Sequence, residues 1–330
     1  MVHNDHWKGR KVLVTGANGF LGSYICSLMN ETPATVVGMV RDHLPSSNFN
    51  HLGLDKVVDV VHGSLEDFDA VKRIINEHEI DTIFHVGAQA IVTSALADPL
   101  QTFKSNVMGT VNVLEACRCL GRQVQAIVIA SSDKAYGSND MLPYREDFPL
   151  KGEFPYEVSK SCADLIARAY YKTYDLPVVI TRCGNIYGGG DLNYNRLVPS
   201  TIIAAMANKN PVLRSNGKYI RDFIYVEDIA DAYVMLAEKA GKKGITGEAF
   251  NFSYELKKEV IDVVTDILRL MNKTHLKPEI KGSAEKEILN QYLSCEKAKR
   301  LLGWVPRHDY EGGLVKTIEW YEKHATRIKT

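Results

Sequence analysis

Short β-branched apolar runs are spaced along the first half of the chain. Lys11–Thr15 (KVLVT) predicts a strand, and so do Thr35–Val40, Lys56–Val61, Thr82–Val86, Ala126–Ala130 and Val178–Thr181. Between them apolar positions recur at helical spacing, over Phe20–Met29, Phe103–Leu120 and Glu157–Tyr174. This alternation predicts an α/β, doubly wound parallel sheet covered by helices on both faces. Such sheets bind ligands at the carboxyl ends of their strands. Beyond about residue 184 loops lengthen and gather Gly, Asn and Pro, as in Gly188-Gly189-Gly190-Asp191, Asn193, Asn195 and Pro199. Helical patterns return at Lys257–Met271, Ser294–Leu302 and Gly313–His324. The expected division is a dinucleotide-binding domain over 1–183, joined by a portion of 220–252, and a smaller substrate-binding lobe over 184–330.

Composition narrows the function classes. Forty Lys+Arg balance forty Asp+Glu, so the formal net charge is zero. That leaves no basic footprint for nucleic acid and no polybasic membrane signal. No apolar run approaches the ~20 residues of a bilayer span, and Met1–Lys11 is too polar for a secretory leader. The six cysteines match no zinc spacing, so no metal site is expected, and they read as reduced small hydrophobes of a cytoplasmic protein.

The first strand runs into Thr15-Gly16-Ala17-Asn18-Gly19-Phe20-Leu21-Gly22, a G-x-x-G-x-x-G loop opening a helix. Gly16 permits a tight turn, Gly19 lets backbone approach a pyrophosphate, and Gly22 lets helix and strand pack closely, while the helix N-terminus offers oriented N–H donors. This places NAD(P) at the loop of a Rossmann-type domain. The candidate cofactor residues are Gly16, Asn18, Gly19, Phe20, Leu21 and Gly22. To these are added Arg41, Ser64 and Leu65, Gly87, Ala88 and Gln89, and Tyr156 and Lys160. At the end of the second strand Val40 stands where an acidic residue would hold the ribose of NAD, and Arg41 follows. Arg41 favours NADP over NAD, with Asp42 the residue able to reverse that preference.

The fifth strand runs into Ser131-Ser132-Asp133-Lys134, and Tyr156-x-x-x-Lys160 follows. Tyr156 and Lys160 share one helix face, where an ammonium beside a phenol favours tyrosinate, a general base. Val158, Cys162, Leu165, Ile166 and Ala169 are expected to form the packing stripe of that helix. His85 is expected to contribute structure near the cofactor, and Asp228 to cap the helix that follows it.

With these motifs the chain resembles the extended short-chain dehydrogenase/reductases that modify nucleotide sugars. The resemblance runs from Trp7 to about Trp320. It also rests on His85-Val86-Gly87-Ala88-Gln89, Arg182-Cys183-Gly184-Asn185-Ile186-Tyr187-Gly188, Arg221–Asp228 and Leu302-Gly303-Trp304-x-Pro306. It implies that Ser132, Tyr156 and Lys160 are the catalytic triad. Ser132-Asp133-Lys134, Gly188–Asp191 and Arg196–Pro199 look like the CDP-glucose 4,6-dehydratases, in which the two residues after the Ser/Thr supply an acid and a base. Leu21 stands where that group carries a lysine, and Arg221–Asp228 keeps the general family form. The resemblance further implies Asn185 near the diphosphate, Arg221 on a phosphate, Arg196 facing the nucleotide, and a homodimer through the Phe103–Leu120 and Glu157–Tyr174 helices.

The expected activity is therefore a 4,6-dehydratase making an NDP-4-keto-6-deoxyhexose. A sugar-nucleotide 4-epimerase or 4-reductase, and a non-catalytic dinucleotide sensor, are the alternatives. Elimination asks for Asp133 as a protonated acid and Lys134 as a neutral amine, although a free lysine has a pKa of about 10.4. The other assignment leaves Lys134 only to hold substrate.

Overall fold

Alternate residues of the first strand enter different cores. Val12 and Val14 join one apolar cluster with Phe84, Val128, Val179 and Phe250. Leu13, between them, joins another with Ile83, Ile127, Ile129, Val178 and Ile180. The two-residue period of a strand thus makes both sheet faces interior. The computed structural model describes residues 4–282 and 287–325; Met1–His3 of the polar N-terminal stretch lie outside them.

The strands are β1 Lys11–Thr15, β2 Thr35–Val40, β3 Asp59–His62, β4 Thr82–His85, β5 Ala126–Ala130, β6 Val178–Cys183 and β7 Ala249–Phe252. Every pairing among them is parallel, in the spatial order β7-β6-β5-β4-β1-β2-β3. The order reverses between β1 and β4, which opens a ligand crevice at their carboxyl ends. The Phe20–Asn30 and Val226–Lys239 helices cover one face, burying Ile25, Met29, Ile229 and Tyr233. Phe68–Glu77, Gly109–Leu120 and Pro155–Tyr174 cover the other, burying Ile74, Val113 and Ala167. A separate cluster, with Tyr187, Ile202, Phe223, Ile267, Leu314 and Ile318, fills the C-terminal lobe.

Four details differ from the pattern-based expectation. The third strand starts late, because Gly53 turns with φ 68° and Leu54–Lys56 forms a 3-10 turn. The seventh strand was not expected; its run is four residues long and interrupted by Asn251, which is buried and accepts a 2.8 Å bond from the Tyr136 hydroxyl. The long 103–120 pattern is broken by a π turn at Lys104–Met108. Finally, Tyr225, not Asp228, is the cap of the Val226–Lys239 helix. Asp228 sits inside its first turn, buried, and accepts from the Tyr254 hydroxyl and the Arg307 and His308 amides. Its carboxylate ties the helix to the C-terminal segment of the chain.

No helix among the described residues is long and apolar enough to cross a membrane.

Candidate active site

The glycine loop is constrained by its neighbours. Gly16 has φ +65°, and a Cβ there would lie 2.7 Å from Gly87 Cα. A Cβ on Gly22 would lie 2.2 Å from the Gly16 oxygen. Backbone must therefore pass backbone at both points, which only glycine allows. The Gly19 amide donates to Gly16 O at 2.9 Å, and the helix begins at Phe20 without a side-chain cap. Its first amides are free to meet an anion, so the cradle fits a dinucleotide pyrophosphate.

The crevice beside the loop is lined by Gly16, Asn18, Arg41, Ser64, Leu65, Gly87, Ala88 and Gln89. Asn18 donates to Asp42 O at 2.8 Å, and Arg41 forms an exposed 2.7 Å ion pair with Asp42. Ser64 accepts from the Glu66 amide, and Leu65 packs where Gly87 and Gly109 leave room. Phe20 turns toward Gly188, and Leu21 faces the apolar clusters rather than the crevice. Gln89 is clamped by Asn106, which accepts from its amide at 2.7 Å and donates to its carbonyl at 3.0 Å. Asn106 also donates to Ser159 Oγ at 2.9 Å, joining this loop to the Pro155–Tyr174 helix. In the sequence Asn106 is one of two asparagines, with Asn112, in the Phe103–Leu120 helical pattern. His85 is buried between Thr15 Oγ1, 2.9 Å away, and Thr110 Oγ1, 3.1 Å away. Burial, aided by nearby Lys160, lowers it to about 3, so it is neutral and structural.

Ser132, two residues past β5 and still extended, caps the short turn Asp133–Tyr136, its Oγ accepting from the Lys134 amide at 3.2 Å. The same hydroxyl donates to Asp133 Oδ1 at 3.0 Å. Asp133 is 2% exposed, and among the described residues its Oδ2 has no hydrogen-bond partner. Lys134 does not pair with it; Nζ donates to Gln291 Oε1 at 3.2 Å. Pro155 opens the next helix, and Glu157 accepts from the Glu153 and Phe154 amides. Ser161 Oγ donates to Ala135 O at 2.9 Å, so helix and turn are stitched together.

Tyr156 and Lys160 follow one turn apart, but the protein's own groups do not depress the phenol as expected. Burial pushes Tyr156 up to about 12, and Asp133 adds to this. The Arg196 charge and a hydrogen bond with Ser132 pull it back. Lys160 is directed elsewhere: Nζ donates to Ala130 O at 2.7 Å, and burial lowers it to about 8. The expected packing stripe is met only in part: Val158, Cys162 and Ile166 are half-buried, Ile166 against the core. Leu165 is 55% exposed and Ala169 is exposed, while Ser159, Ser161, Ala163, Asp164 and Ala167 are buried. Small side chains let the helix approach the sheet, and Asp164 meets Arg182 in a fully buried 2.8 Å ion pair.

The substrate candidates divide. Arg221 is 9% exposed, donates to the Ile220 and Leu289 carbonyls at 2.9 and 3.0 Å, and feels the Asp133 charge. Arg196 pairs with Asp191 at 3.0 Å and reaches Tyr156 electrostatically. Asn185 turns its amide to Asp222 O at 3.0 Å.

Residues 13–317 match the family model described as GDP-mannose 4,6 dehydratase. The chain is 31% identical to the CDP-glucose 4,6-dehydratase of Salmonella typhimurium, over 98% of this chain and 93% of that one. It is equally 31% identical to dTDP-glucose 4,6-dehydratase 1 of Escherichia coli, over 94% and 92%. The structure of dTDP-glucose 4,6-dehydratase from Bacillus anthracis in complex with NAD superimposes with a TM-score of 0.86 at 29% identity, covering 97% of this chain and all of that one. The UDP-glucose 4-epimerase of Thermotoga maritima, with UDP-glucose, gives 0.87 at 25%, covering 96% and 99%.

Proposed function

The chain belongs to the GDP-mannose 4,6 dehydratase family of extended short-chain dehydrogenase/reductases, and on that premise we propose that it converts an NDP-hexose of the CDP-glucose kind to the NDP-4-keto-6-deoxyhexose. The observation that carries this is the Ser132 turn, which sets the buried Asp133 carboxyl within electrostatic reach of Tyr156 and carries Lys134 as its next residue. Product mass spectrometry over a panel of NDP-hexoses tests it.

A nicotinamide bound beside the glycine loop supplies the hydride chemistry, from C4 and back to C6. Tyr156 Oη takes the O4 proton once ionised; burial holds the phenol up at about 12, so that ionisation would draw on the positive charge a bound nicotinamide brings. The resulting 4-ketone acidifies C5–H. Lys134 Nζ, as a free amine, removes that proton. The C–H electrons form the C5–C6 double bond as the C6–O bond breaks, and Asp133 gives its proton to the departing hydroxyl, which leaves as water. As C6 is reduced, Lys134 returns its proton to C5. One proton then remains on Tyr156 and one is missing from Asp133. Ser132 touches both side chains and is the path by which that proton returns.

The cofactor site comprises the glycine loop with Arg41, Ser64, Leu65 and the Gly87–Gln89 segment, and NADP is favoured through Arg41. Arg221, Arg196 and Asn185 bind the nucleotide diphosphate, Arg221 by its planar fork. Residues 184–330 form the substrate lobe, except that Val226–Lys239 and β7 belong with the dinucleotide-binding domain over 1–183. The protein works as a cytoplasmic homodimer. A 4-epimerase is the second reading, favoured by the similarity to the Thermotoga enzyme.

A further inference from the structure

We propose that Gln291 is a positioning residue for the elimination step, holding Lys134 through a neutral amide so that its amine is aligned without being locked as an ion pair. The inference rests on the dehydratase reading and on Lys134 as the C5 base.

The observation is a contact between distant segments of the chain. Lys134 Nζ donates to Gln291 Oε1 at 3.2 Å across 157 positions of sequence. With Lys134 as donor the amide presents its oxygen to Nζ and its NH2 to the other side. That nitrogen, Nε2, is buried and has no partner among the described residues, and neither does Asp133 Oδ2. Gln291 is 1% exposed. A buried amide with half its hydrogen bonds unmade carries a desolvation cost that leucine or methionine would not.

The segment carrying Gln291 is held on both sides. Its own amide donates to Ile220 O at 3.0 Å, and the Leu293 amide donates to Asp222 Oδ2 at 3.0 Å. The Tyr144 amide donates to Tyr292 O at 2.9 Å, and the Ser294 amide to Tyr144 O at 2.9 Å. Tyr144 in turn donates its hydroxyl to Gly137 O, the end of the catalytic turn. Gln291 thus reaches the site from a backbone strip pinned between Arg221's neighbours and the turn that carries Lys134. A side chain so placed can fix a flexible four-carbon stem.

The chemistry of the partner matters. A base must shed its proton before it can take the one on C5. A carboxylate partner would stabilise the ammonium and oppose that, whereas an amide oxygen orients the amine while adding no charge. Among the described residues Lys134 makes no ion pair; the charged groups near it are Glu157, whose carboxyl feels the Lys134 charge, and Asp133, its buried neighbour, and Nζ is bonded to neither.

The test uses the full chain in three forms, wild type, Gln291→Glu and Gln291→Leu, each with CDP-glucose, dTDP-glucose, UDP-glucose and GDP-mannose as probes. Two readouts are taken: the rate of C4 oxidation, from nicotinamide absorbance in a single turnover, and C5–H exchange with deuterated water as a function of pH. Gln291→Glu is expected to keep C4 oxidation and to move the exchange profile about one unit higher in pH, regaining exchange there. Gln291→Leu is expected to lose exchange about tenfold or more at every pH, with C4 oxidation again retained. Exchange that follows the wild-type profile in both variants overturns the proposal. So does a parallel loss of oxidation and exchange, the signature of a merely structural residue. If wild type exchanges no C5–H with any probe, the dehydratase reading falls and the role of Gln291 with it, a result distinct from failure of the variants alone.

Discussion

The Ser132 hydroxyl donates to Asp133 Oδ1 at 3.0 Å, while Oδ2 of the same carboxyl is buried without a partner among the described residues. One oxygen is fixed by the triad and the other is left for a proton. Replacing Asp133 by Asn keeps an acceptor for Ser132 but removes the transferable proton. C4 oxidation should then continue within a few-fold, while formation of the 6-deoxy product falls by about 10²–10⁴. Single-turnover absorbance against product mass spectrometry separates the two, and equal losses in both would contradict the assignment.

Lys160 sets a pH dependence of known sign. Folded, its amine loses a proton above about 8; unfolded, it keeps it to about 10.4, so this group alone makes stability rise with pH over that window. Four thiols act the other way. Burial raises Cys183 to about 12 and also raises Cys26, Cys117 and Cys295, so the unfolded chain sheds their protons above about 8.5 while the folded chain does not. Four groups outweigh one. The wild-type melting temperature should fall above pH about 9, and Lys160→Met, lacking the opposing amine, should fall more steeply between about 8 and 10. Parallel curves would show that Lys160 is not depressed.

On the proposed cofactor site, Arg41 and Asp42 are the two side chains expected to compete for the ribose. Their 2.7 Å pair is exposed, so a 2′-phosphate can replace the carboxylate as partner of the guanidinium. Arg41→Ala should weaken NADP by about 1.5–3 kcal/mol and leave NAD nearly unchanged, measured by calorimetric titration of each. Equal weakening of both, or none, would assign the preference to Asp42.

Leu100, Leu165 and Met108 are 64%, 55% and 49% exposed, on neighbouring helices. A homodimer that pairs these helices across a twofold axis covers them. Light scattering should give twice the 36.9 kDa chain mass, and Leu165→Asp should shift it toward monomer. A wild-type particle of single-chain mass at micromolar concentration would reject the dimer.

The sheet was legible because its strands are nearly continuous apolar runs, and the glycine loop because backbone contact leaves no choice of residue. Ser132, Asp133, Lys134, Tyr156 and Lys160 stand in two short local motifs, so they could be singled out as candidates from the sequence before their geometry was seen. What was hidden depends on tertiary contact. β7 is short and carries Asn251, whose burial is explained by bonds to the Tyr136 hydroxyl and to the Tyr144 and Ser294 carbonyls. The face of the Pro155–Tyr174 helix was read correctly at Ile166 but not at Leu165 and Ala169, because Asp164, a polar residue, is buried against Arg182 of β6. Gln291 lies in an irregular segment with no periodicity, and nothing local connects it to Lys134.

Removal of the substrate's 6-oxygen is the step on which all these roles depend. Wild-type protein incubated in deuterated water with CDP-glucose, dTDP-glucose, UDP-glucose and GDP-mannose tests it directly, with products read by mass spectrometry and NMR. One probe is expected to become a 4-keto sugar nucleotide lighter by one water and carrying deuterium at C5. A product of unchanged mass, inverted at C4 and free of deuterium, would contradict this and identify an epimerase.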